Sequence, residues 1–244
     1  MIEFIQSIFA PPRHTILLVL ALWFGWWLAE KIVKREQKIN EAAFSNLTFY
    51  GLLAFVLGGR ILYALDNLAA FTSSPASIFS PNPQLFDAFL GGAAAVVTML
   101  VYGQRAKLQF WPTLDALTPL LAALMLGIGA AHLAEGSAFG AATSLPWGVD
   151  VNGVTRHPSQ IYEIALAFFI LNLIGTRGPL PRAGTQFLTF LAWTSAARLF
   201  LEAFRGDSAL IFGSLRLAQV LAWVLLAATL FALNRLQSTK SPAN

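Results

Sequence analysis

The sequence predicts an all-α membrane protein with about seven transmembrane helices, its N-terminus outside and its C-terminus cytoplasmic. Three observations carry that prediction. Of the 244 residues, 57% are hydrophobic and only 11% charged, whereas a soluble domain carries about 25% charged residues. The apolar residues fall into repeated runs of roughly 17–25, the length a helix needs to cross hydrocarbon, with no sustained period-two alternation of the kind barrel strands show. Lysines and arginines collect in alternate loops, as cytoplasmic loops do.

The first span, Thr15–Glu30, is read as retained, because the first 30 residues lack the charged start and small-residue cleavage site of a removable signal peptide. Lys31, Lys34, Arg35 and Lys38 follow it. Asn46–Leu65 is the second span, with Gly58-Gly59-Arg60 near its outer end. Phe86–Tyr102 is the third; it contains Gly91-Gly92 and leads to Arg105 and Lys107. Pro112–Leu133 is the fourth, with Gly127, Gly129, Ala130 and Ala131 on its later turns. Small residues of this kind let helix backbones approach closely in lipid. Ser159–Gly175 is the fifth span. Pro158 suits a helix start, since its missing N–H would be unpaired there. Arg177 and Arg182 precede the sixth span, Gly184–Ala203; Leu215–Asn234 is the seventh, followed by Arg235, Lys240 and a frayed tail, 237–244. The outer loops Asp66–Leu85, Ala134–Pro158 and Phe204–Ser214 are rich in turn-forming residues, and Pro75, Pro81 and Pro83 stiffen the first. Residues 1–244 read as one polytopic membrane domain without internal repeats.

Several chemistries are excluded. The chain has no cysteine, so disulfides, thiolate metal sites and cysteine nucleophiles cannot occur, and any thiol belongs to a substrate. The net charge of +4 is what cytoplasmic loops alone supply, and it does not indicate nucleic acid. No metal-ligand spacing appears, and no metal or cofactor is expected.

The octet Arg156-His157-Pro158-Ser159-Gln160-Ile161-Tyr162-Glu163 sets polar groups against the start of an apolar run, where ionisable residues are costly and kept for function. Arg60, Arg156, Arg198 and Arg205 fall at the outer leaflet, where few basic residues are expected. An anionic phospholipid head group would explain Arg60, Arg156 and Arg198 together; interfacial snorkelling suits Arg13 and Arg216. Arg198, Glu202 and Arg205 share a helix face at i, i+4, i+7. Arg198 and Glu202 could form an internal ion pair, or Glu202 could hold Arg198 toward a phosphate. Tyr162 sits where interfacial aromatics sit. His157 could shuttle a proton or simply hydrogen-bond. His132 and Glu135 could form an acid–base pair.

These residues resemble the bacterial phosphatidylglycerol–prolipoprotein diacylglyceryl transferase family. The octet is close to that family's most recognisable block. Gly58-Gly59-Arg60-Ile61-Leu62-Tyr63, the loop around Pro75–Phe79, Asp115–Pro119, Leu145-Pro146-Trp147, Arg198–Asp207 and Gln219 match in order and spacing. The resemblance implies transfer of diacylglyceryl from phosphatidylglycerol to the cysteine thiol of a prolipoprotein signal segment, at the outer face of the bacterial plasma (inner) membrane. It implies that Arg60, Arg156 and Arg198 hold the donor phosphate and that Arg205 rims the head-group site. His157 would orient the site or accept a proton, with His157 and Arg198 nearest the chemistry. Gln160, Tyr162 and Glu163 would position the site, and Glu202 would brace Arg198. The chain departs from the family pattern at Leu90, where a histidine is expected, at Ala130, where an arginine is expected, and at Thr194, where a tyrosine is expected. Those departures raise a second possibility, a non-catalytic lipid- or lipoprotein-binding relative. An anion transporter would want polar residues through the bilayer or a broken-helix repeat, and the charges here gather at one face.

Overall fold

A computed structural model describes residues 4, 8–9, 13–80, 82, 85–151, 153–176, 182–206, 208–211 and 215–238. The expectations placed on Pro81, Pro83, Arg177, Asp207, Lys240 and most of the tail fall outside the described residues. Eight α-helices are present among them: α1 (His14–Glu36), α2 (Glu41–Asp66), α3 (Leu68–Ser73), α4 (Ala88–Arg105), α5 (Phe110–Glu135), α6 (Ser159–Thr176), α7 (Thr185–Glu202) and α8 (Leu217–Ser238). A 3-10 helix (Pro75–Phe79) and two short antiparallel hairpins accompany them, β1 (Val149–Val151) with β2 (Val154–Arg156) and β3 (Leu210–Ile211) with β4 (Leu215–Arg216). The seven long helices coincide with the seven predicted apolar runs. Each end agrees within a few residues except at the start of α2 and the end of α1, where the helix continues through Lys31, Lys34 and Arg35. Four of them, α1, α2, α5 and α8, are long and apolar enough to cross a membrane by length and composition.

The chain divides into two compact units, residues 30–113 and residues 1–29 with 114–244. In the first, α2 and α4 pack along their lengths through small residues. A Cβ on Gly91 would stand 2.7 Å from the Phe55 carbonyl oxygen, and one on Gly59 would meet the Phe86 ring. Asn40 caps α2 by accepting from the Ala43 N–H at 2.9 Å, and Asp87 caps α4 through the Leu90 N–H at 2.8 Å. Arg60, on the last turns of α2, clasps the loop that follows. Its Nε donates to the Ile78 carbonyl (2.9 Å), Nη1 to those of Asn82 (2.8 Å) and Leu85 (2.7 Å), and Nη2 to that of Ser80.

The second unit is built around α5, α6 and α7. Ala122, Ala123, Ile170, Leu171, Ile174, Phe190 and Ala197 form its buried centre, with Leu28 of α1 and Met125 of α5 packed against it. Alanines on α5 let its neighbours approach, and α1 lies on it where Gly127 faces Ala21 and Gly25 faces Ala123. Large apolar side chains point outward instead: Trp23, Phe168, Trp223 and Phe231 are each more than half exposed. That arrangement is costly in water and natural in lipid. Asp115, one turn into α5, caps α7: its carboxylate accepts the Gly184 N–H at 2.6 Å and the Phe187 N–H at 2.8 Å. Gly184 takes the left-handed conformation at φ 88° and offers no capping side chain, so α5 supplies the cap from across the bundle.

Candidate functional site

Three helix ends meet at one end of the second unit: the C-terminus of α5, the N-terminus of α6 and the C-terminus of α7. Main-chain bonds stitch them together. The segment after α5 runs between the other two. Ala141 N donates to Phe204 O (2.8 Å) and Gly206 N to Phe139 O (3.1 Å) on one side. His157 N donates to Ala141 O (3.0 Å) and Thr143 N to Thr155 O (2.9 Å) on the other. Gly140 pairs with Arg205 and Ala142 with Arg156 in antiparallel register. A Cβ at Gly140 would strike the His157 carbonyl oxygen and sit 2.7 Å from the His157 Cβ, so this crossing requires glycine.

The first turn of α6 anchors the same segment with side chains. The buried Ser159 hydroxyl donates to Ala138 O at 2.6 Å, and Gln160 Nε2 donates to Ser137 O at 2.8 Å. Ala138 holds a left-handed backbone at φ 54°, a conformation that costs an L-residue roughly 1–2 kcal/mol and that these bonds hold in place.

Arg156 ends β2. Its Nη1 donates to Gly140 O at 3.2 Å, and its guanidinium lies over the Phe139 ring, 4.9 Å from the centroid. Among the described residues these contacts occupy one of five N–H donors and one face, which leaves most of the fork for an anionic partner. Arg198 pairs with Glu202 at 3.3 Å; the Glu202 side chain is 1% exposed and that of Arg198 39%. Among the described residues the Glu202 Oε2 makes no aligned hydrogen bond, so the contact with Arg198 is ionic attraction rather than a directed bond. Arg205 stands with Ala138, Ser159, Glu163 and Leu201 around a shallow crevice that has no room for a water molecule.

His157 is wedged among rings, with centroids 5.1 Å from Phe204 and 6.3 Å from Tyr162, and its buried Nδ1 has no hydrogen-bond partner among the described residues. The Tyr162 hydroxyl accepts from the Trp147 indole N–H at 2.8 Å, tying the exposed loop before β1 to α6.

The structure corrects one pairing. His132 does not meet Glu135, which is exposed and accepts from the Ser137 hydroxyl at 3.0 Å. Instead the His132 Nδ1 lies 2.9 Å from the Glu163 Oε2, with side chains 30% and 13% exposed. The signal for this contact was Gly129, three residues before His132 and so on the same face. A Cβ there would stand 3.3 Å from the Glu163 Cγ. The fold thus gathers Arg156, His157, Gln160, Tyr162, Glu163, Arg198, Glu202 and Arg205 in one unit, within about two turns of the stitched end. Arg60 belongs to the other unit and holds its own loop.

The comparisons point one way. A family model described as prolipoprotein diacylglyceryl transferase matches residues 8–235. The chain is similar to the phosphatidylglycerol–prolipoprotein diacylglyceryl transferase of Photobacterium profundum, at 34% identity over 80% of this chain and 76% of that protein. It is similar to the protein of the same name from Aeromonas salmonicida, at 31% identity over 88% of this chain and 82% of that one. The corresponding protein of a Nostoc species is 28% identical over 94% of this chain and 86% of its own length.

Proposed function

Because this chain belongs to the prolipoprotein diacylglyceryl transferase family, we propose that it moves diacylglyceryl from phosphatidylglycerol to the cysteine thiol of a prolipoprotein signal segment. The family match from residue 8 to residue 235 carries this reading. In the proposed reaction the thiol sulfur attacks the glyceryl carbon and a C–S bond forms. The C–O bond to phosphate breaks, and glycerol phosphate leaves with the electron pair. Donor and leaving group are both anionic, so fixed positive charge beside the phosphate lowers the barrier.

The proposal assigns that charge to Arg156, Arg198 and Arg205. Arg156 has most of its fork uncommitted, Arg198 is braced by Glu202, and Arg205 rims the crevice. His157, held among rings, orients the head-group side of the site. Gln160 and Tyr162 position it by anchoring the loops on either side. Contact between Arg60 and lipid is a separate part of the proposal, with four of its five donors already engaged. The proposal also takes residues 1–244 as one membrane domain with seven spans in the bacterial plasma membrane, the N-terminus outside and the site at the outer face.

The test is purified protein with phosphatidylglycerol and a lipobox peptide, read by mass spectrometry for the thioether. Arg156→Ala is expected to lower the transfer rate by about 10²–10³, the loss typical for one donor to a developing charge. Full activity in Arg156→Ala removes that residue from the site. The departures at Leu90, Ala130 and Thr194 favour one second reading, a relative that binds lipid or lipoprotein without turnover; binding without any thioether product would select it.

A further inference from the structure

We propose that His132 is the base that takes the proton from the acceptor thiol, and that Glu163 is the residue that positions it. The inference rests on the transferase reading above and names a group that reading leaves open.

Four observations carry it. The reaction consumes a thiol, and a thiol is a far better nucleophile as its thiolate. The chain must therefore move a proton, and the base has to reach the sulfur, which attacks the glyceryl carbon from the side opposite the leaving phosphate. The described residues hold one imidazole directly paired with a carboxylate, His132 with Glu163 at 2.9 Å. With the carboxylate ionised, Nδ1 is the donor in that bond. The lone pair then lies on Nε2, which has no hydrogen-bond partner among the described residues. His132 is partly open, at 30% exposure. Finally, Glu163 and Arg205 line the same narrow crevice, so the pair lies near one of the guanidinium groups to which the transferase reading assigns the phosphate.

His157 is the poorer candidate. Among the described residues no carboxylate touches it, and its Nδ1 is buried without a partner between Phe204 and Tyr162. An imidazolium formed there would gain no neighbouring countercharge.

The protons and charges balance. The thiol proton passes to the His132 Nε2 as the C–S bond forms. The phosphodiester, with one negative charge, becomes a phosphate monoester with two, and the imidazolium carries the compensating positive charge until the monoester or water removes its proton. Glu163 stabilises that imidazolium and fixes its tautomer. Titratable groups on the elements packed about the pair include Arg205 beside Glu163, Glu135 on α5 itself, Tyr162 on α6, Glu202 and Arg198 on α7, and His14 on α1, which packs on α5 through Ala21.

The experiment measures thioether formation against pH, with phosphatidylglycerol vesicles and a lipobox peptide, for the unaltered chain, His132→Ala, Glu163→Gln and Glu135→Gln. At pH 7 His132→Ala is expected to be slower by about 10²-fold or more, the usual contribution of a general base. The deficit should shrink as pH rises past about 8.5, the ordinary thiol pKa, because thiolate then forms without help. Added imidazole should restore part of the rate. Glu163→Gln should lose about tenfold or more, and Glu135→Gln should stay within about twofold.

A merely structural role would give a deficit that is constant with pH and deaf to imidazole, and that result overturns the assignment while the transferase reading stands. Activity in His132→Ala within threefold of the unaltered chain also overturns it. No thioether from the unaltered chain at any pH defeats both.

Discussion

Gly140→Ala is the sharpest test of how the helix ends are joined. The added methyl would strike the His157 carbonyl oxygen and lie 2.7 Å from the His157 Cβ and 2.8 Å from its carbonyl carbon. Two of those three atoms are backbone, so no side-chain rotation relieves the clash. The chain must move at residue 140, and the bonds on either side move with it: Ala141 to Phe204, His157 to Ala141 and Gly206 to Phe139. Each such bond contributes about 0.5–1.5 kcal/mol net, and overpacking adds about 1–3 kcal/mol. A loss of about 2–5 kcal/mol follows. For a chain of this length 1 kcal/mol moves the unfolding midpoint by roughly 2–4 °C, so a fall on the order of 5–15 °C is expected. The assay is thermal unfolding of purified protein in detergent, followed by tryptophan fluorescence. Gly92→Ala is the control: no atom lies within 4 Å of a Cβ at that position on α4, and a helical Gly→Ala change is worth about 0.5–1 kcal/mol in the stabilising direction. If Gly140→Ala is no less stable than Gly92→Ala, the steric reasoning is wrong.

Two further outcomes follow from the same geometry. Asp115→Ala removes both acceptors at the start of α7, leaving the Gly184 and Phe187 N–H groups without them; a loss of about 1–2 kcal/mol is expected, read as an earlier unfolding midpoint that Asp115→Asn partly repairs. The Arg198–Glu202 pair should respond asymmetrically. Arg198→Ala strands a carboxylate that is 1% exposed and should destabilise by about 2–4 kcal/mol, whereas Glu202→Gln leaves a guanidinium that water reaches and should cost about 1 kcal/mol or less. Equal losses in the two variants would contradict the burial pattern.

The helices were legible because apolar run length is a one-dimensional signal, and all seven runs became long helices. Charge was less transparent. Arg60 and Arg156 look alike in sequence, each a lone guanidinium at the end of an apolar stretch. Among the described residues one is engaged by four carbonyls of its own loop and the other by a single carbonyl. Carbonyl acceptors belong to every residue type, so nothing in the residue names announces them. The same blindness hid the partner of His132. Glu135 is three residues away along the chain, while Glu163 is brought in from another helix by a crossing that Gly129 permits. Asp115 reads as an ordinary acidic residue in the first turns of a helix, and only the packing of α5 beside the start of α7 makes it a cap for a different helix.

From residue 139 to residue 143 the segment's own share of the seam that joins α5, α6 and α7 is main-chain amides and carbonyls, and that has an evolutionary consequence. Outside Gly140, the seam does not consult the side chains of Ala141 and Ala142, whereas the Thr143 hydroxyl accepts the Leu145 N–H. Mutational drift at the two alanines can reshape the rim beside Arg156 and Arg205 while the frame beneath stays in register. On the transferase reading proposed above, a lineage could adjust which head group or signal segment it prefers at this border without reopening the question of how the bundle folds.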